Sequence, residues 1–242
     1  VELKKIPYAD WQEKYDKLMT DPYLSKKYNR KKRIKAKRAY MTNQTPEIKR
    51  CKGKLILDIG PGPGEWLELC REFGHDVIGI DAKFKDCEMG SEYIHLSNLM
   101  TDRQKIPLYY IGFEWYLYLM DQEKRVTDTP PIIKDESVFY INSQGSIEQC
   151  FKDYMTGPPH RETKKSSLLS WVVDNKLREL FKKMFTEFER ILEPGGFIFI
   201  WANGSANNPE YDNLILETLK QFDNLDLYRK DGKLVHKIRK SL

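Results

Sequence analysis

The pentapeptide Gly60-Pro61-Gly62-Pro63-Gly64 separates an apolar run, Lys54 to Ile59, from an amphipathic segment, Glu65 to Glu72. The apolar run has the length and residue types of a buried strand. The segment after the turn carries Trp66, Leu67, Leu69 and Cys70 at helical spacing, and Gly74 is a helix stop. A second apolar run, Asp76 to Ile80, follows, closed by Asp81. Strand, tight turn, helix and strand in this order form the repeating unit of a doubly wound parallel sheet.

The turn predicts a ligand. Glycine at alternate positions removes the side chains that would hold a small molecule away from the backbone. The two intervening prolines stiffen the loop. Asp58 lies near the carboxyl end of the first strand, where open α/β sheets bind ligands. Asp81 ends the second strand, 21 residues after Gly60, placed to accept hydrogen bonds from ribose hydroxyls.

The spacing also selects among nucleotides. A dinucleotide loop reads G-x-G-x-x-G and holds a pyrophosphate at its helix N-terminus. Here the third glycine, Gly64, comes one residue early, and Glu65 opens the helix with a carboxylate that repels a pyrophosphate. No G-x-x-x-x-G-K-[ST] loop occurs. The pattern suits a phosphate-free adenosine compound with a cationic end, and S-adenosyl-L-methionine has an ammonium and a sulfonium.

LDIGPGPGEW followed by VIGID resembles the first two motifs of the class I S-adenosylmethionine-dependent methyltransferases. Leu192-Glu193-Pro194-Gly195-Gly196 and the following FIFIWA resemble that superfamily's approach to its fifth strand. The resemblance implies that Gly60, Gly62 and Gly64 line the methionine moiety, Asp81 the ribose, and Asp58 the neighbourhood of the amino group. It places Asn98 near the adenine and Asn142 near the transferred methyl. The fourth strand ends in Asn142-Ser143, not in the Asn-Pro-Pro-Tyr of many base amino-group methylators. The aspartate of ribose 2′-O methylators is missing there too.

Charge is distributed unevenly. The net charge is +5, yet Ser25 to Tyr40 alone holds nine Lys or Arg and no acid, so the remainder sums to about −4. Such a segment is either a solvated helix face or a site for an anionic partner such as RNA, a phosphorylated substrate or an acidic lipid surface. Cys51, Cys70, Cys87 and Cys150 form no C-x-x-C pair, and no histidine lies at zinc-finger spacing. These features predict a reduced, cytoplasmic protein without a structural metal. No apolar run approaches the roughly 18 residues of a membrane span.

The expected fold is α/β: a doubly wound, seven-stranded, mainly parallel sheet with an antiparallel last strand and an N-terminal helical addition. Residues 1–50 form that addition and residues 51–242 the cofactor-binding domain. Helices are expected at Tyr8–Met19, Leu24–Met41, Ile106–Met120, Ile147–Tyr154, Trp171–Leu192 and Tyr211–Phe222. Further strands are expected at Tyr93–Leu96, Ser137–Ile141 and Phe197–Ala202. A hairpin of Leu225–Arg229 and Leu234–Ile238 turns at Asp231-Gly232. Lys237, Arg239 and Lys240 extend the basic inventory.

The predicted activity is methyl transfer from S-adenosylmethionine to a small or medium-sized, anionic acceptor covered by Ile106–Glu136 and Met155–Ser170. RNA, held by the basic segment, is the alternative acceptor. A non-catalytic cofactor-binding module is the third reading. Candidate catalytic groups are Asn142 and His160; the latter would act as a general base from a loop with Arg161, Lys164 and Lys165 beside it.

Overall fold

A computed structural model describes residues 30–61, 65–81, 108–110, 133–147, 175–201, 209–231 and 235–242. The chain divides into two compact units, Val1–Ile111 and Gly112–Leu242. Among the described residues no helix is long and apolar enough to cross a membrane.

The first unit contains helices α1 (Arg30–Gln44) and α2 (Glu47–Arg50), strand β1 (Leu55–Ile59), helix α3 (Glu65–Glu72), and strands β2 (Asp76–Asp81) and β3 (Leu108–Tyr110). β1 pairs parallel with β2, and β2 parallel with β3. The carboxyl ends of all three strands therefore share one edge. Ile56, Leu57 and Ile59 are fully buried, as a strand covered on both faces requires.

α3 ends as its sequence predicts. Gly74 adopts φ +87°, the His75 amide donates to the Cys70 carbonyl at 3.1 Å, and the Gly74 amide donates to the Arg71 carbonyl at 2.9 Å. This pair of bonds satisfies carbonyls that the last helical turn leaves open. Trp66, Leu67, Leu69 and Cys70 are buried along α3.

α1 packs against this end of α3. Arg38 pairs with Glu72 at 2.5 Å, and its guanidinium stands 5.9 Å from the centre of the Phe73 ring. The Lys49 ammonium stands 5.5 Å from the same ring. Met41 and Ile48 are fully buried, and a His75 ring nitrogen, Nε2, lies 2.7 Å from the Ile48 carbonyl oxygen. A carbonyl can only accept, so Nε2 donates. The apolar contacts hold the helix; an ion pair that is half exposed on both sides adds little.

Two expectations for this unit are corrected. The helix expected over Leu24–Met41 runs on to Gln44, with residues 24–29 outside the described range. No breaker intervenes before Pro46, which disfavours helical geometry at the residue before it. Leu108–Tyr110, expected within a core helix, is strand β3, with Gly79, Ile80 and Asp81 opposite Leu108, Tyr109 and Tyr110. The tyrosines suit a pleated surface, and the offered edge of β2 outweighs a helical spacing. The expected strand Tyr93–Leu96 and helix Tyr8–Met19 lie outside the described residues.

The second unit contains β4 (Val138–Gln144), α4 (Asn175–Ile191), β5 (Leu192–Trp201), α5 (Pro209–Leu219), β6 (Leu225–Asp231) and β7 (Val235–Lys240). β4 and β5 are parallel, whereas β7 is antiparallel to both β5 and β6 and lies between them. The predicted hairpin is therefore present, and the last strand runs antiparallel. With three parallel and two antiparallel pairings, the described strands make a mixed, mostly parallel α/β structure.

α4 carries the core of this unit. Phe181, Met184, Phe185, Phe188 and Ile191 are fully buried along one face, the apolar stripe of an amphipathic helix. β5 starts at Leu192, five residues before the expected Phe197. Its first half is irregular: Val138 sits opposite Leu192, but Tyr140 sits opposite Phe197. Gly196 permits the crowding, because a Cβ there would come within 2.9 Å of the Glu193 carbonyl oxygen and 3.0 Å of the Phe139 carbonyl oxygen. Both obstacles are backbone and cannot swing aside.

The cations near the chain's end are not a surface inventory. Lys240 Nζ donates to the carbonyls of Glu189 and Leu192, each at 2.8 Å, and to Glu136 Oε1 at 3.1 Å. Three acceptors match its three protons. Lys237 is 2% exposed, with its ammonium 5.3 Å from the centre of the Phe197 ring and 5.7 Å from that of Tyr228. Arg239 also stands over Phe197, at 5.7 Å. These groups tie β7 to its neighbours.

Candidate functional site

The candidate site is built at the carboxyl edge of the first unit's strands. β1 and β2 run in register, so Asp58 is opposite Gly79 and Ile59 opposite Ile80. The chain then leaves β1 at Gly60 with φ +70°, a conformation that costs a side-chain-bearing residue of this kind about 1–2 kcal/mol. The Gly60 amide donates to the Ile80 carbonyl at 2.7 Å. This bond pins the start of the turn to the residue before Asp81. Asp81 itself ends β2, opposite Tyr110 of β3. Thus Asp58, Gly60 and Asp81 are brought to the same edge by parallel pairing and one backbone hydrogen bond.

Asp58 is 3% exposed. Two side chains from different helices titrate in its field: Tyr40 on α1 and Cys70 on α3. Burial first, and the Asp58 carboxylate second, push the Tyr40 hydroxyl well above the usual tyrosine value. The same causes in the same order push up the Cys70 thiol. Both groups are therefore neutral at physiological pH. Glu65, 3% exposed at the first position of α3, adds a second buried carboxyl group to the unit. At the N-terminal end of a helix, a carboxylate is favoured by the helix dipole.

A pH dependence follows. Unfolded, a thiol and a phenol lose their protons near pH 8.5 and pH 10 respectively, about their ordinary values. The folded chain keeps both protons above those pH values, so the unfolded state binds fewer. Stability is then complete below about pH 8 and falls as pH rises, by at most about 1.4 kcal/mol per pH unit for each group. Denaturant midpoints measured from pH 7 to pH 11 are expected to fall, and to fall less steeply in Tyr40→Phe/Cys70→Ala. An equal slope in both proteins would rule out this origin.

The other predicted site residues have different fates. Gly62, Gly64, Asn98 and His160 lie outside the described residues, as does the loop with Arg161, Lys164 and Lys165. Asn142 belongs to the second unit, 1% exposed within β4 and opposite Phe199. β4 was expected to end at Ile141, but it runs three residues further, because Asn142, Ser143 and Gln144 all pair with β5. The Gln144 side-chain amide donates to Asn142 Oδ1 at 3.4 Å. Ser143 Oγ accepts from the Ile147 amide at 3.3 Å, where the chain turns helical. Among the described residues no group of His, Cys, Asp and Glu is arranged to hold a metal ion.

Tyr40 is the residue that sequence reasoning missed. The available signal was the change from Lys and Arg to Ala39-Tyr40-Met41 at the end of the charged run, which marks where the helix meets the core.

No family model matches this sequence, and no curated protein matches it. Solved structures do resemble it. One is a Methanococcus maripaludis protein assigned as an S-adenosyl-L-methionine-dependent methyltransferase, with 13% identity over 100% of this chain and 96% of that one, at a TM-score of 0.45. A SAM-dependent methyltransferase from Aquifex aeolicus has 12% identity over 98% of each chain, at a TM-score of 0.42. Another, from Archaeoglobus fulgidus, has 18% identity over 81% of this chain and 73% of that one, at a TM-score of 0.44.

Proposed function

We propose that this chain transfers a methyl group from S-adenosylmethionine to an acceptor nucleophile. The observation that carries the reading is the turn at Gly60: left-handed, pinned to the end of β2, and flanked by Asp58 and Asp81. The residues fit the cofactor's chemistry. Bare backbone at Gly60 gives close approach, two carboxylates suit a ligand with an ammonium and a ribose, and Glu65 disfavours a diphosphate. Asp81 would accept from the ribose hydroxyls and Asp58 would face the amino group. Gly62 and Gly64 would continue the cradle, with Asn98 toward the adenine and Asn142 toward the reacting end.

When bound, the cofactor supplies a carbon already activated by its sulfonium. The protein's own task is then alignment and proton management. Asn142 would orient the acceptor through its side-chain amide, and His160 would take the acceptor's proton. The full reading sets the two groups of strands in one seven-stranded sheet, with α1 and α2 as an addition ahead of the domain at 51–242. The sequence's first choice, a small anionic acceptor, rests on segments outside the described residues. RNA, the alternative, rests on the cationic sequence of α1.

Calorimetry with S-adenosylmethionine tests the reading, and intact, folded protein that takes up none would overturn it. Asp81→Ala is expected to weaken binding by about 1.5–3 kcal/mol, the range for a hydrogen bond to a charged group. That corresponds to roughly 10- to 150-fold in Kd. An unchanged Kd would reject the ribose assignment.

A further inference from the structure

α1 carries seven Lys or Arg within fifteen residues, and no Asp or Glu. They are Arg30, Lys31, Lys32, Arg33, Lys35, Lys37 and Arg38. Arg38 sits where the helix meets α3, at Glu72 and Phe73. Met41, further along α1, and Thr45, just past its end, are fully covered. α1 is thus anchored in its C-terminal part, and its sequence is strongly cationic over the N-terminal part. A polyanion laid along the helix would release its own counterions.

We propose that α1 is a nucleic-acid-binding arm that engages a phosphate backbone. The proposal stands apart from the methyl-transfer reading. Charge complementarity argues for the occupant. A helix that lies on a lipid surface needs a broad apolar face opposite its cations. From Arg30 to Arg38, α1 offers only Ile34 and Ala36 as apolar residues. A phosphate backbone needs no such face.

The body of the protein, near −4 without the Ser25–Tyr40 segment, would repel the same polymer elsewhere and so confine it to the arm.

The test uses the full chain with a fluorescent mixed-sequence RNA 20-mer, a duplex DNA of the same length, and phosphatidylserine vesicles. If five of the seven cations engage phosphates, the plot of log affinity against log salt for single strands has a slope of about −3.5. Affinity then falls by about 100-fold between 50 and 200 mM salt. Replacing Arg30, Lys31, Lys32, Arg33 and Lys35 by Gln, a good helix former, is expected to flatten the slope by about 0.7 per charge removed. Circular dichroism checks that the variant folds, and calorimetry checks that it takes up S-adenosylmethionine as before. RNA or DNA binding with this salt and charge dependence supports the arm, and whichever of the two binds more tightly identifies the polymer. A salt-independent affinity, an unaltered slope in the variant, or binding to vesicles alone would overturn it. Cofactor uptake without nucleic-acid binding defeats the arm and leaves the methyl-transfer reading intact. The reverse result defeats that reading and leaves the arm.

Discussion

Arg190→Met is expected to lower stability by about 3–5 kcal/mol, the effect of stranding a buried carboxylate. Glu187 is almost completely covered, and its two oxygens are taken by Arg190: Nε at 2.7 Å and Nη2 at 2.6 Å. Nη2 also donates to the Ile133 carbonyl at 3.0 Å, and Nη1 pairs with Asp135. One guanidinium thus ties α4 to the segment leading into β4. Methionine fills much of the same volume but supplies no donor. The stranded Glu187 carboxylate then has to pick up a proton or remain charged without its partner. Urea denaturation checks the loss. The double variant Arg190→Met/Glu187→Leu is expected to recover most of it, since an apolar pair of similar volume replaces a buried ion pair at little or no cost. A double variant as unstable as the single one would show that packing, not charge, is at stake.

Phe185→Ala is expected to cost about 3–5 kcal/mol as well, by a different route: a large buried ring leaves a cavity that its surroundings only partly fill. Phe185 is fully buried. Its ring centre lies 6.1 Å from that of Phe188, edge-on, and 6.0 Å from that of Phe222 beyond α5. The ring therefore joins α4 to the segment between α5 and β6. Against a typical total of about 5–15 kcal/mol, the loss takes about a fifth or more of the stability. The m-value in urea should stay constant while the midpoint falls. A loss under about 1 kcal/mol would mean that the site collapses around the smaller side chain.

Local pattern carried most of the architecture. The run LILDI, the glycine turn, α3 with its stop at Gly74, and the second run ending in Asp81 were all readable, because each follows from spacing or from a backbone need within a few residues. The same holds for α4, whose apolar stripe is a periodicity. Leu108–Tyr110 was not readable as a strand. Its aromatic neighbourhood satisfies a helical spacing too, and only the free edge of β2 decides between them. The length of β4 was hidden for a similar reason: Asn142, Ser143 and Gln144 look like loop residues until β5 supplies their partners.

The site divides along the same line. By itself the sequence determined that one carboxylate lies near the end of the first strand, that another closes the second, and that a glycine turn follows the first, since composition and order alone dictate this. Only the tertiary structure decided that Tyr40 and Cys70 share the field of Asp58, that the turn is pinned to Ile80, and that Lys240 is a buried brace instead of a surface charge. These depend on groups far apart in the chain, and a charge shows its role only once its neighbours, and the water it has lost, are known.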